Sequence, residues 1–66
     1  MVVDFRYSIG QKVFYDREHW EVVSQCFLRT RQNDIIYYNL KNIKNPQRFV
    51  PNVWQHELSP VIEIIK

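Results

Sequence analysis

The chain has 66 residues, which suffice for one small domain, because a chain of this length buries only about 60% of its unfolded surface. A single cysteine and a single glycine exclude an internal disulfide and a glycine-rich phosphate loop. The net charge is only +2, and no stretch approaches the roughly 18 apolar residues of a transmembrane helix. We therefore expect one cytoplasmic domain over residues 1–66 that does not enter a membrane.

The first fifteen or so residues predict a lead-in and a short strand. Residues 1–8 are apolar enough to form an extended lead-in that covers one end of a core. Gly10 follows, and we expect a turn with positive φ there. Residues 12–15 then predict a strand that places Val13 on one face and Phe14 on the other.

Residues 20–40 are rich in β-branched and aromatic side chains and predict a long β-hairpin. The polar run 31–34 interrupts them and supplies the turn. Two adjacent valines break the alternation of the first strand, so that we expect a bulge near Ser24 and Gln25. A bulged long strand is a device by which small sheets bend into barrels.

The last third of the chain predicts shorter elements. Residues 41–47 contain several asparagines and lysines and a proline, and they predict a loop. Residues 48–50 predict a brief strand, and Pro51 at its end suits an edge strand or a strand terminus. Residues 54–58 are too few for a stable α-helix and predict one 3₁₀ turn, and residues 61–65 predict the last strand.

This order of elements, with a helical turn before the last strand, is that of SH3-like barrels. The residues that carry the resemblance are Gly10-x-x-Val13-x-Tyr15, Trp20-x-Val22, Tyr37-Tyr38-x-Leu40 and His56-Glu57-Leu58-x-Pro60. They resemble the pattern of Tudor and KOW barrels and of small barrels from bacteria and their phages. The resemblance implies an all-β SH3-like barrel of about five antiparallel strands. Such barrels bind RNA, DNA, methylated tails or other proteins.

Positive charge is concentrated in residues 29–50, which carry a balance of +4. Basic side chains neutralise phosphates, and an outward-facing tyrosine among them would stack a base. The candidate nucleic-acid face consists of Arg29, Arg31, Tyr37, Lys41, Lys44 and Arg48. The alternative is a solvated surface that keeps the chain soluble and protects the sheet edges.

Three further sets of aromatic residues have a binding and a structural interpretation. Tyr15, Trp20 and Tyr38 would form a cage for a methylated lysine, or they pack in the core. Phe14, Tyr37 and Phe49 would form a protein interface if they are exposed together, unless the lead-in folds over them. We expect Trp54 to close one end of the barrel.

The sequence predicts neither an enzyme nor a metal site, and no cofactor. His19 and His56 are the only histidines, and neither belongs to a CxxC or HxxxH motif. Cys26 with a histidine would make a nucleophile pair, but a lone cysteine in an apolar strand usually behaves as a small buried hydrophobe.

The expected function is therefore a small non-catalytic binding module, a protein–protein adaptor or regulator. The first alternative is a nucleic-acid-binding barrel that uses the basic face, and the second is a methyl-lysine reader. Salt separates the first two, because phosphate binding weakens steeply as ionic strength rises and apolar binding does not.

Overall fold

Five antiparallel strands form one sheet in the computed structural model of the chain, which describes residues 3–61. The elements are β1 (Lys12–Tyr15), β2 (Glu18–Arg29), β3 (Asp34–Asn42), β4 (Phe49–Trp54), a 3₁₀ turn (Gln55–Glu57) and β5 (Ser59–Pro60). The strand order is β4-β3-β2-β1-β5, so that β1 to β4 follow one another and β5 returns to β1. The all-β class and the 3₁₀ turn before the last strand are confirmed. Within the described residues no helix is long and apolar enough to cross a membrane.

The sheet is open within residues 3–61, because β4 and β5 form its two edges and do not pair with each other. The strand predicted over residues 61–65 lies, beyond Val61, outside the described residues. Closure into an SH3-like barrel therefore stays a prediction.

The long hairpin predicted over residues 20–40 is confirmed, and it runs out to Arg29 opposite Asp34. Thr30 closes its loop. The Thr30 N–H donates to the carbonyl of Asn33 at 2.9 Å, and the Thr30 hydroxyl accepts the Asn33 N–H at 2.9 Å. These hydrogen bonds hold the loop without a glycine.

Two bulges interrupt the regular pairing of the sheet. In β2 the register shifts between Val22 and Ser24, which confirms the predicted bulge and leaves Val23 as the extra residue. In β4 the register shift places Pro51 and Asn52 opposite a single residue of β3. Pro51 lies on an edge strand, one of the two placements predicted, but it does not end that strand: β4 continues past it, because a bulge accommodates a residue that cannot donate a ladder hydrogen bond.

Positive backbone φ values mark two turns. Gly10 has a φ of 90°, as predicted. The β1–β2 connection is short: Asp16 and Arg17 form the turn, and Glu18 and His19 already belong to β2. The φ values of Asp16 and Arg17 are 50° and 65°, the left-handed geometry that two-residue hairpin loops require.

One face of the sheet carries the core. Its large members, Trp20 and Tyr38, are almost wholly buried, and such aromatic rings supply much of the burial in a small domain. The lead-in covers this face, since the rings of Phe5 and Tyr7 meet Tyr38 edge-on at 6.3 and 5.6 Å between centroids. The core consists of Tyr7, Val13, Trp20, Val22, Tyr38, Leu40, Val53 and Leu58.

Candidate binding site at the hairpin tip

The two ends of the sheet differ in how many strands they contain. We call the end at the β2–β3 loop (residues 30–33) the tip, and the opposite end, at the β1–β2 turn, the base. β1 pairs only with residues 18–21 of β2, and β4 pairs only with residues 37–41 of β3. Beyond these residues, β2 and β3 continue to the tip as a two-stranded ribbon.

Apolar side chains cover the face of the tip that points away from the core. Leu28 lies opposite Ile35, and Tyr37 lies opposite Trp54 on the neighbouring strand. Leu28 is 51% exposed and Trp54 is 47% exposed. We call these four residues the tip patch. With Asn52 they line a shallow depression of about 200 Å³.

The exposure of Trp54 corrects the prediction that it closes the end of a barrel. β4 extends as far as Trp54, and its pairing with Tyr37 turns the indole to the outer face, because the neighbouring Tyr38 faces the core. The indole instead meets the ring of His56 edge-on at 5.5 Å between centroids.

A larger cleft of about 520 Å³ opens between the tip loop and the 3₁₀ turn. It is lined by Arg6, Thr30, residues 32–36 and residues 54–56. Gln55 is fixed in place, because its Oε1 accepts the Arg6 N–H at 3.1 Å and also the hydroxyl of buried Tyr38. Burial raises the pKa of the Tyr38 phenol, so the hydroxyl stays protonated and donates this hydrogen bond even at alkaline pH where an exposed tyrosine begins to ionise. The cleft thus has a rigid polar wall beside an exposed indole.

The structure separates the three residues of the predicted protein interface. Phe14 and Phe49 are 41% and 54% exposed, and both lie on the outer face towards the base, opposite His19 and Lys41 respectively. Tyr37 is half-buried and belongs to the tip patch. The lead-in packs on the core face and leaves Phe14 and Phe49 uncovered.

The basic residues predicted to bind nucleic acid lie in three places. Arg29 and Arg31 are at the tip, and the Arg29 Nε lies 3.4 Å from the Asp34 carboxylate. The Arg29 guanidinium also lies 5.5 Å from the centre of the Phe27 ring. Lys41 is on the outer face, with its Nζ 3.7 Å from the carboxylate of Glu21.

The remaining two basic residues, Lys44 and Arg48, are at the base. The Arg48 Nη1 lies 2.6 Å from the Glu18 Oε1. The nine residues of β3 span about 26 Å, which separates these two from Arg31. The structure therefore brings no more than two of the five basic residues together at either end, and carboxylates from outside residues 29–50 neutralise part of their charge.

The three aromatic residues of the predicted cage pack together with the core. Trp20 is 1% exposed, and its Nε1 donates to the carbonyl of Tyr15 at 2.9 Å. Tyr38 is wholly buried. The guanidinium of Arg48 lies 5.3 Å from the centre of the Trp20 ring. These contacts are the ones expected if the three residues pack in the core instead of forming a cage.

Potential catalytic groups are dispersed among structural contacts. Cys26 is half-buried, and its Sγ lies 4.0 Å from the amide nitrogen of Asn39. His19 packs against Phe14, as His56 does against the exposed indole. In the part of the chain that the structure describes, no three His, Cys, Asp or Glu side chains converge as a metal site would require.

Sequence reasoning missed the tip patch and the cleft. Leu28 and Ile35 lie symmetrically about the loop, so the hairpin register would have paired them had the loop been placed at residues 30–33. The position of Trp54 depends on how far β4 extends, and β4 extends to Trp54 because the bulge accommodates Pro51.

The structure establishes the class of a small all-β domain with five antiparallel strands in one sheet. No protein-family model, curated protein or solved structure matches the chain. The resemblance to SH3-like barrels accordingly rests on the residues quoted for it.

Proposed function

We propose that the chain is a small, non-catalytic module that binds another protein through the tip patch. The observation that carries the proposal is a contiguous group of partly exposed apolar side chains, in which Leu28 and Trp54 are each about half exposed. Burying such a side chain contributes about 1.5–3 kcal/mol. Exposed apolar groups that touch one another mark interaction sites more reliably than scattered ones.

The surroundings of the patch support the same function. Asn52 supplies a polar side chain at the rim of the depression. An apolar centre with a polar rim is the usual anatomy of a protein interface, and aromatic residues are enriched in its centre. The ribbon beneath is two strands wide, and a two-stranded ribbon gains stability when another surface packs on it.

The test is capture of a partner by the immobilised chain from a lysate of its source, with and without nuclease treatment, at low and at high salt. Three forms are compared: the wild type, Leu28→Ser and Phe49→Ser. Phe49 is a matched control because it is 54% exposed on the same face but lies near the base. We expect a partner that Leu28→Ser loses and that Phe49→Ser retains.

The partner is then purified and its affinity is measured. We expect Leu28→Ser to weaken binding roughly tenfold and Trp54→Ala roughly thirtyfold or more, because aromatic anchors dominate interface energies. Equal loss in the Phe49→Ser form would refute a site at the tip. Capture that requires nucleic acid and disappears at high salt would establish the nucleic-acid alternative instead.

A further inference from the structure

We infer that the tip binds its partner by strand addition: an extended segment of the partner pairs with the edge of β3 at residues 34–36, where the described part of the chain places no strand on the side away from β2. This inference rests on the proposed function and specifies its ligand as an extended peptide with alternating side chains. Three observations carry it, namely an open strand edge, the protection of the other edges, and a concavity on each side of the open one.

The open edge exists because β4 is shorter than the hairpin that it flanks. Trp54 is the last residue of β4 and pairs with Tyr37. Residues 34–36 therefore pair with β2 on one side and lie beyond the last pair of the β3–β4 ladder on the other. A strand edge of this kind presents backbone N–H and C=O groups that can pair with another chain.

The loop hydrogen bonds indicate which backbone groups point outward. The Thr30 N–H donates to the carbonyl of Asn33, so Asn33 directs its backbone groups towards β2. In an antiparallel pair, successive residues direct both backbone groups to opposite sides. Asp34 and Ile36 accordingly direct their N–H and C=O groups away from β2, towards the position of an added strand.

The edges formed by β4 and β5 are protected. β4 contains Pro51, which has no N–H, and Asn52, whose φ of 59° kinks the strand. β5 is two residues long in the described chain and ends in Pro60. Proline, bulges and short strands are the devices by which natural sheets avoid edge pairing. The β3 edge at the tip contains none of them.

The edge of β2 on the far side of the ribbon differs in another way. Residues 10 and 11 occupy part of this edge, since the Gly10 N–H donates to the carbonyl of Val22 at 2.8 Å and the Val22 N–H donates to the carbonyl of Gln11 at 3.0 Å. The depression and the cleft adjoin the β3 edge instead, and Ile35 and Trp54 line both of them.

The two concavities match the geometry of an added strand. Successive side chains of a strand point to opposite faces of the sheet. One set would enter the depression of about 200 Å³ in the tip patch, and the other set would enter the cleft of about 520 Å³. Strand addition obtains its affinity from backbone hydrogen bonds and its specificity from such alternating pockets.

The lining of each concavity indicates the side chains it accepts. Leu28, Ile35 and Trp54 form the apolar wall of the depression, which favours a branched apolar side chain. The cleft presents the guanidinium-bearing Arg6 and the fixed amide of Gln55. Arg6 lines the cleft, and its guanidinium can pair with an acidic side chain of the peptide. We therefore expect acidic side chains on the cleft side, and a peptide that alternates apolar and acidic residues.

The probe is a short, acetylated and amidated peptide of alternating valine and glutamate, added to the ¹⁵N-labelled chain at up to millimolar concentration. Saturable shifts are expected for the backbone amides of Asp34 and Ile36 and for the indole of Trp54. Two further peptides carry backbone N-methyl groups, one on every valine and the other on every glutamate. Only one set of amides faces β3, so one methylated peptide should lose affinity roughly tenfold or more while the other retains it.

A matched pair of variants tests the protein side. Asp34→Pro removes an N–H that points away from β2, at the first position of a strand, where proline is tolerated. Asp34→Ala removes the same ion pair with Arg29 but keeps the N–H. We expect Asp34→Ala to bind the peptide and Asp34→Pro to bind it at least several-fold more weakly. If Asp34→Pro does not fold, the methylated peptides decide the question.

Several outcomes would overturn strand addition: no saturable binding, equal effects of both methylated peptides, or shifts centred on β4 or β2. Shifts at residues 34–36 that depend on the concentration of the chain alone would assign the edge to a second copy instead. If a partner depends on Leu28 but these peptide results are negative, the proposed function stands and strand addition fails. If no partner depends on Leu28, the proposed function fails first.

Discussion

The base and the tip belong to the same hairpin but differ in how far other strands flank them. At the base, β1 and β4 flank the hairpin, and Trp20, Val22 and Leu40 are almost wholly buried. At the tip, β2 and β3 continue without flanking strands, and Leu28 is half exposed. Both regions are built from β-branched, aromatic and aliphatic residues, so composition does not distinguish them. The presence of flanking strands distinguishes them: these strands stabilise the base, and their absence leaves the tip accessible to a partner.

The largest expected effect comes from the base. Trp20→Ala should lower the free energy of unfolding by about 3–5 kcal/mol, because it empties a large buried site. A domain of 66 residues has a total stability of about 3–10 kcal/mol, so a large fraction of the Trp20→Ala molecules would be unfolded. Urea titration followed by circular dichroism measures the change. Trp54→Ala is the control at the tip and should cost less than about 1 kcal/mol. Similar losses in the two variants would contradict the division between base and tip.

A buried polar contact at the base should come next. Asn42 is 2% exposed, its Nδ2 donates to Glu18 at 3.2 Å, and its Oδ1 accepts the N–H of Asn45 at 2.9 Å. Asn42→Ala should lower the free energy of unfolding by about 1–3 kcal/mol, since it removes two hydrogen bonds that each contribute about 0.5–1.5 kcal/mol. Asn33→Ala, at the exposed loop of the tip, should stay within about 0.5 kcal/mol of the wild type in the same titration. A cost at Asn33 that matches the cost at Asn42 would show that the tip loop is equally structural.

A substitution in the turn of the base should stabilise the domain. Arg17 has a φ of 65°, and this conformation costs a residue with a side chain about 1–2 kcal/mol. Arg17→Gly should therefore raise the free energy of unfolding by about 0.5–1 kcal/mol after the extra entropy of glycine is deducted. Arg31→Gly provides the comparison, because Arg31 is not among the described residues with positive φ and should gain nothing. Hydrogen exchange of the tip amides should not change in the Arg17→Gly form.

The smallest effect concerns acid. The hydrogen bond from Arg48 is the main cause that lowers the pKa of Glu18, and burial opposes it. A carboxyl with a lowered pKa in the folded state stabilises that state at neutral pH. This stabilisation is lost as the pH falls through the lowered pKa. The pair is exposed, so the effect is small. Glu18→Gln should flatten the decline of the melting temperature below pH 5. An unchanged acid decline in Glu18→Gln would exclude this ion pair as its source.

Local features of the chain were predictable from its residues. The strands of the hairpin, the positive φ at Gly10, the bulge in β2 and the 3₁₀ turn follow from side-chain shape and turn chemistry within a few residues. Each of these depends on neighbours in the chain, which the sequence displays directly.

Contacts between strands were not predictable in the same way. The surplus of charge in residues 29–50 suggested one basic face, but Glu18 and Glu21 reach Arg48 and Lys41 from β2 and lie outside that range. These pairs depend on register, which a bulge shifts by one residue and so reverses the faces. Because the face on which Trp54 lies also depends on register, its exposure could not be predicted from the sequence.

The order of the strands also has a consequence for folding kinetics. Each pairing from β1 to β4 joins consecutive segments, and the entropic cost of closing such short loops is small. Among the strand pairings within residues 3–61, only that of β1 with β5 joins distant parts of the chain, with Val13 opposite Pro60. Contacts of long sequence separation slow folding when the transition state contains them. A meander that assembles first and receives β5 afterwards avoids that delay. Weakening the contact at Ser59 should then accelerate unfolding and leave the folding rate unchanged.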